Sequence, residues 1–219
     1  MLTVNQVFGL LKKDFLFEVR HLFQFGAILG FMLGIAYLFY FYSGEQTERA
    51  WSLSYWFSFL FICFFCGNKI FVNELGDSKL YTMQLIHPNI QFGSKCIFVI
   101  TELALYSLVL WLAFWILLPM KVEFSFHWMI LILLCVIAIG MILTFTSFIS
   151  SNISGKQLLI AILSLPISFP IIGLGFTIGL QLMAPNPEFD FYSSLYPLIG
   201  INLFSAALLI FLVPLIWKS

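Results

Sequence analysis

The stretch that decides the fold is Phe126-His-Trp-Met-Ile-Leu-Ile-Leu-Leu-Cys-Val-Ile-Ala-Ile-Gly-Met-Ile-Leu-Thr-Phe-Thr-Ser-Phe148, which contains no Asp, Glu, Lys or Arg. About 20 consecutive apolar residues cross the hydrocarbon core of a bilayer as a helix. Five further stretches are similarly apolar: 23–42, 51–70, 96–119, 158–182 and 195–217. The sequence therefore predicts an all-α polytopic membrane protein with six transmembrane helices in a single domain, residues 1–219.

The composition agrees with a membrane protein. Of the 219 residues, 62 % are hydrophobic and 9 % are charged, and the mean hydropathy is +1.04. Charged residues make up about 25 % of an average soluble chain, so a soluble enzyme is not expected. The net charge of zero provides no basic field for nucleic acid. Trp51, Trp128 and Trp217 fall at span ends, which is typical of an interfacial aromatic belt.

Basic residues predict the orientation, because cytoplasmic loops carry an excess of Lys and Arg. With a cytoplasmic N-terminus, only Arg49 and Lys121 lie outside, and the outer loops carry acidic residues such as Glu45 and Asp190. The remaining basic residues lie inside: Lys12, Lys13, Arg20, Lys69, Lys79, Lys95, Lys156 and Lys218. Both termini are therefore predicted to be cytoplasmic.

Residues 1–22 show an amphipathic pattern ahead of the first span. Apolar residues recur every three or four positions, at Val4, Phe8, Leu11, Phe15, Val19 and Leu22. Lys12, Lys13 and Arg20 lie mostly off this stripe. We expect an interfacial helix whose cations meet anionic lipid; an extension of the first span is the alternative.

Glycines in two spans predict close helix packing. Gly26, Gly30 and Gly34 are four residues apart in the first span and share one helix face, and Gly175 and Gly179 repeat the spacing in the fifth. Another backbone can approach closely where side chains are missing. The packed helix belongs either to the same chain or to another.

The fifth span also contains Pro166 and Pro170. Each proline removes a helical hydrogen bond and clashes with the carbonyl four residues earlier. The pair predicts a kink or break in mid-membrane, as in transporter helices that move or line a path. A static packing kink is the alternative.

Motifs for catalysis are missing from the sequence. Gly155-Lys156 is followed by Gln157 and lacks the upstream glycine of a phosphate-binding loop, so the chain is not expected to hydrolyse ATP. Metalloprotease, serine-hydrolase and dinucleotide-binding motifs are also absent. The four cysteines fall in or beside apolar segments and are interpreted as packing residues rather than metal ligands.

One ionisable residue lies clearly within a predicted span. Glu102 is about two turns into the third helix from Lys95. A carboxylate is costly in lipid, which makes Glu102 a functional candidate. The alternatives are that it reaches the inner interface or pairs with a lysine.

The longest connection, residues 71–95, has the composition of a coupling segment. Charged residues alternate with regularly placed Leu75, Leu80, Met83 and Leu85, which predicts short amphipathic helices on the cytoplasmic surface. His87-Pro88 then interrupts the pattern. A cytosolic partner would act on such a segment; an idle interfacial loop is the alternative.

Two parts of the sequence resemble the haem exporter protein B family (CcmB). The family shows an aromatic residue, an acidic residue and a leucine-rich stretch closing on proline after the second span. The matching residues here are Phe71, Glu74, Leu80, Tyr81, Leu85 and Pro88. The second likeness is a polar inner loop leading into L-P-x-x-x-P, here Leu165-Pro166 through Pro170. Many members have a compact acidic-x-Gly-Ser-Leu-Glu segment, which this chain replaces with Glu74-Leu-Gly-Asp-Ser-Lys-Leu80.

The resemblance implies an ABC-2-type permease half acting in haem export or delivery for c-type cytochrome biogenesis, in the bacterial inner membrane. It implies a separate cytosolic ATPase that binds ATP and docks on residues 68–90, with haem as the candidate cargo. A haem-handling membrane protein and a haem chaperone are the other expected partners. Because such transporters need two membrane halves, a second copy or another six-span subunit is also implied.

Two other function classes are alternatives: a permease half with another cargo, and a membrane enzyme or plain assembly scaffold. A permease half that exports a lipid, drug or glycan would have nearly the same pattern. A membrane enzyme would show several ionisable residues at one depth, whereas Glu102 stands alone in the predicted spans. An assembly scaffold would function without an ATPase.

Overall fold

The computed structural model describes residues 2–20, 22–42, 47–70, 87–118, 126–150, 156–183 and 189–217. Its helices are α1 (Leu2–Arg20), α2 (Leu22–Tyr42), α3 (Glu48–Lys69), α4 (Pro88–Leu117), α5 (Phe126–Ser150), α6 (Lys156–Met183), α7 (Phe191–Ser194) and α8 (Tyr196–Trp217). No strand occurs in this part of the chain. The prediction of an all-α protein is confirmed.

Five helical stretches among the described residues are long and apolar enough to cross a membrane. They are Glu48–Gly67, Asn89–Leu117, Phe126–Ser150, Leu158–Met183 and Phe191–Pro214. The chain is therefore a multi-pass membrane protein. In α2 the apolar stretch is the shorter Gly26–Phe41, so the sixth span remains a prediction, as does the cytoplasmic position of both termini.

The start of α4 differs from the prediction. Residues 88–95, expected to belong to the connection, form the first two turns of α4 and continue into the third span. The physical reason is that proline suits the first position of a helix, where its missing N–H is not needed. His87 precedes it with an extended backbone, φ −63° and ψ 137°, as a residue before proline prefers.

The core is centred on α3, α4 and α5. In the apolar windows of α3 and α5, 67 % of residues are buried, against 28 % in α6 and 17 % in α8. α5 packs against α4, α6 and α8, and α3 packs against both α4 and α6. The outward surfaces of α6 and α8 therefore face lipid or another chain.

An aromatic cluster at the start of α3 corrects the interfacial interpretation of two tryptophans. Trp51 is 3 % exposed and Trp128 is 1 % exposed. Their ring centroids are 5.7 Å apart, and Trp51 also stacks on Tyr55 at 5.7 Å. Phe114 meets both Trp51 and Tyr55 edge-on. These indoles fill the bundle because edge-on and offset-stacked rings pack favourably in a core.

Candidate coupling site

The predicted coupling residues fall largely outside the described part of the chain. Phe71, Glu74, Leu80, Tyr81 and Leu85 belong to residues 71–86, so their roles remain predictions. Pro88 is described and begins α4. What the structure does describe is how the two ends of this connection are held. We call this side of the bundle, defined by Gly67, Lys95, Ser147 and Ile160, the connection end.

The last turn of α3 is fixed to α5 and α6. Ser147 of α5 donates a hydrogen bond from Oγ to the carbonyl oxygen of Gly67, at 2.8 Å. A Cβ placed on Gly67 would lie 2.9 Å from Leu143 Cδ2 and 3.5 Å from Ile160 Cγ2. A side chain at Gly67 would thus force Leu143 to shift, and the connection departs from a point in contact with both α5 and α6.

The first turns of α4 are fixed to α1. Lys95 Nζ contacts Asp14 Oδ1 at 2.9 Å, and the two side chains are 5 % and 7 % exposed. Next to this ion pair, Phe15 and Phe98 meet edge-on with ring centroids 5.2 Å apart. α1 packs mainly on α4 and only slightly on α2, although α2 follows it directly in the chain. The connection therefore ends at a helix that carries α1 with it.

The amphipathic pattern of α1 is partly reflected in its surface. Phe8 is 70 % and Val19 is 61 % exposed, as expected of residues that face lipid. Leu11 packs against the core instead. Asp14 was not predicted to matter, although an acidic residue beside Lys12 and Lys13 was a visible signal.

Glu102 lies on the same face of α4 as Lys95, seven residues further along. It is 6 % exposed, so the protein buries this carboxylate rather than leaving it at a surface. Seven residues correspond to a rise of about 10 Å along a helix. Gln91, Lys95, Glu102 and Tyr106 are buried on one side of α4, with the apolar Phe98 and Val99 between the lysine and the glutamate. A functional role for Glu102 remains a prediction.

The two glycine patterns have different surroundings. A Cβ added to Gly26, Gly30 or Gly34 meets nothing within 4 Å among the described residues, and these glycines lie on an exposed face of α2. Gly175 and Gly179 instead adjoin aromatic rings. Their added Cβ atoms would lie 2.7 Å from Trp56 and 2.8 Å from Trp128, respectively. In the fifth span these glycines thus make room for tryptophan side chains rather than for the backbone of another helix.

The helix α6 is continuous through Pro166 and Pro170, which rules out a break. A kink remains a prediction. Both prolines are exposed on the outward side, while Ser164 and Ser168 are buried on the inward side. These serines donate to the carbonyls of Ile160 at 2.6 Å and of Ser164 at 2.8 Å. Such back-bonding bends helices, so the inward serines add to the effect of the prolines.

Asn202 is an intramembrane polar residue that the sequence analysis did not single out. Its Nδ2 donates to the carbonyl oxygens of Leu134 in α5, at 3.2 Å, and of Leu198 in its own helix, at 2.9 Å. A polar side chain within an apolar run was the available signal. Asn202 attaches the otherwise exposed α8 to the centre of the bundle.

Groups suited to metal binding do not cluster in the described residues: no three His, Cys, Asp or Glu come together there. The four cysteines are free thiols, three of them buried. Among described features, the arrangement that stands out is the anchoring of both ends of the connection. This arrangement can carry a mechanical signal and has no evident chemistry of its own.

A model of the CcmB protein family matches residues 5–216, almost the whole chain. The chain belongs to the CcmB family. Membership makes it a membrane component of the haem-export system of cytochrome c biogenesis, in a family of permease subunits. No curated protein and no solved structure matches the chain.

Proposed function

We propose that this CcmB protein is the permease subunit that couples ATP hydrolysis by a separate cytosolic ATPase to haem delivery for c-type cytochromes. It acts in the bacterial inner membrane, with six spans and both termini in the cytoplasm. The match to the CcmB family over residues 5–216 carries the proposal. Transport of haem and release of a loaded haem chaperone are two forms of the same coupled step.

The described structure supports a coupling role for residues 71–86. A segment that transmits a push needs firm attachments at both ends, since slack would absorb the movement. Gly67 is held by Ser147 on one side, and Lys95 is held by Asp14 on the other. Displacement of the connection would therefore act on α3 with α5 at one end and on α4 with α1 at the other.

A second membrane half completes the proposed transporter, supplied by another copy of the chain or by another six-span subunit. Two outward faces support this. The glycine face of α2 is open, which allows a backbone to approach closely. On α6, Pro166 and Pro170 deprive the carbonyls of Ile162 and Pro166 of their helical donors. Such groups need protein or water around them rather than lipid.

Loss of ATPase binding is the expected result of Glu74→Lys together with Leu80→Asp. Glu74→Lys reverses a charge, and Leu80→Asp replaces an apolar side chain with an acidic one. Both substitutions fall in the proposed docking segment and outside the described helices. The measurement is co-purification of the ATPase with the tagged membrane protein. Arg49→Gln, an exposed residue at the start of α3, is the matched control and should retain the ATPase. Retention by the double variant would contradict docking on this segment.

A further inference from the structure

The contact between α1 and α4 contains a buried pair of opposite charges. Asp14 is 6 % exposed and Lys95 is 4 % exposed, and Nζ lies 2.9 Å from Oδ1. Among the side chains described in α1, Asp14 alone is fully buried. The attachment of this helix to the bundle is therefore centred on a charged residue, where an apolar one would be ordinary.

A buried ion pair adds little net stability compared with two apolar side chains of similar size, because both ions lose their hydration. Separating the pair is far more unfavourable, since the buried carboxylate of Asp14 then loses the ammonium group beside it. Such a contact fixes one position and resists separation. It is suited to holding two helices together while both of them move.

The position of Lys95 places this contact next to the coupling segment. Lys95 lies in the second turn of α4, and α4 is one continuous helix from Pro88. The distance from Pro88 to Lys95 along the axis is about 10 Å. A displacement at the beginning of α4 thus reaches the ion pair through rigid helix.

We propose that Asp14 and Lys95 join α1 to the connection end of α4 as one rigid unit, which moves as a whole when the ATPase displaces residues 71–86. Asp14 and Lys95 are positioning residues. α1 provides this unit with a lipid-facing surface through Phe8 and Val19. The ATPase as the source of this movement rests on the proposed function, whereas the attachment of α1 to α4 through Asp14 and Lys95 does not.

Cross-linking tests the attachment. In a chain whose four cysteines are replaced by alanine, Phe15→Cys with Phe98→Cys should be bridged efficiently by a short bis-methanethiosulfonate reagent, because the ring centroids of the two phenylalanines lie 5.2 Å apart. Adding Lys95→Gln should lower the cross-linking rate about tenfold or more, since the buried carboxylate of Asp14 loses the ammonium group beside it. Asp14→Asn removes the same contact from the other side and should lower the rate as well. Adding Asp14→Leu together with Lys95→Met should preserve it, because an apolar pair replaces both ions.

Two controls accompany this experiment. Lys12→Gln removes an exposed charge from the same helix and should leave the cross-link unchanged. Phe8→Cys with Phe98→Cys should cross-link poorly, because Phe8 points away at 70 % exposed. An unchanged rate in both Asp14→Asn and Lys95→Gln would overturn the attachment.

Movement as one unit is tested in the complex with its ATPase. ATP hydrolysis should be the same with the Phe15→Cys/Phe98→Cys pair bridged by the thiol reagent and after the bridge is reduced. In cells, Asp14→Asn should lose c-type cytochromes, and the Asp14→Leu/Lys95→Met protein should keep them. Inhibition of ATP hydrolysis by the bridged pair would overturn the rigid unit. If the wild-type gene itself fails to support c-type cytochromes, the proposed function fails, while the cross-linking rates still decide the attachment.

Discussion

Two glycines in α6 determine how the aromatic core closes. The indole of Trp56 lies against Gly175, with Cζ2, Cζ3 and Cη2 all within 2.9 Å of the position of an added Cβ. Gly179 lies similarly against Trp128. A rigid indole in a packed core cannot move aside as a flexible side chain would. α6 therefore depends on these glycines for its fit against α3 and α5.

Gly175→Ala is predicted to destabilise the protein by about 1–3 kcal/mol, the usual cost of forcing extra atoms into a packed core. Gly200→Ala in α8 is the matched control, since its Cβ meets nothing within 4 Å and alanine favours a helix. Thermal unfolding of the detergent-solubilised proteins measures both. Equal stability of the two variants would contradict this account of the Trp56 contact.

At the residue scale, the sequence indicated which residues pack closely more readily than it indicated which residues they contact. Glycines four residues apart indicated close packing, but two such patterns had opposite surroundings, an open face in α2 and indoles in α6. Asp14 and Ser147 escaped notice because their partners, Lys95 and Gly67, lie about 80 residues away in the chain. A single sequence contains no signal for such distant pairs.

At the element scale, α2 and α6 present unusual surfaces for helices that face lipid. The exposed side of α2 carries three glycines, and the exposed side of α6 carries two prolines with Gly173 and Thr177. By contrast, the exposed positions of α8 are mostly large and apolar, such as Leu203, Phe204 and Phe211. We therefore place the proposed second membrane half at α2 and α6 rather than at α8, although large apolar side chains such as Leu38 and Phe169 are exposed on those two helices too.

Gly30→Leu together with Gly34→Leu is predicted to detach the second membrane half while leaving the chain folded. The new side chains enter open space within the protomer, but they prevent another backbone from approaching. Native mass spectrometry of the solubilised complex gives the number of membrane subunits. Leu203→Trp, which adds bulk on the exposed side of α8, is the control. An unchanged subunit number in the glycine variant would contradict an interface at α2.

Long apolar runs made the elements easy to predict. The spans from α3 to α8 lie close to their predicted positions because a helix that crosses lipid must satisfy all its backbone groups internally. The exception was α4, which begins at Pro88. Pro88 has two effects there, because a proline interrupts a helical pattern that precedes it and also suits the first position of a new helix. The proposed coupling residues 71–86 lie outside the described residues, so the short helices expected there remain a prediction.

At the scale of the whole molecule, the structure is a central core of α3, α4 and α5 with less buried helices around it. The two ends of the proposed coupling segment adjoin different parts of this bundle, through Ser147 and through Asp14. A displacement of residues 71–86 would thus move two groups of helices relative to each other. That arrangement fits a permease driven by an external ATPase better than a passive scaffold, which needs no such input.

The measurement that tests this account most directly is a covalent-haem stain of membranes from a strain that lacks the gene. The account predicts that all c-type cytochromes are lost, that the wild-type gene restores them, and that Glu74→Lys/Leu80→Asp does not. Normal c-type cytochromes in the deletion strain would contradict the role in haem delivery and would favour export of a lipid, drug or glycan. Restoration by the docking variant would contradict the coupling to ATP.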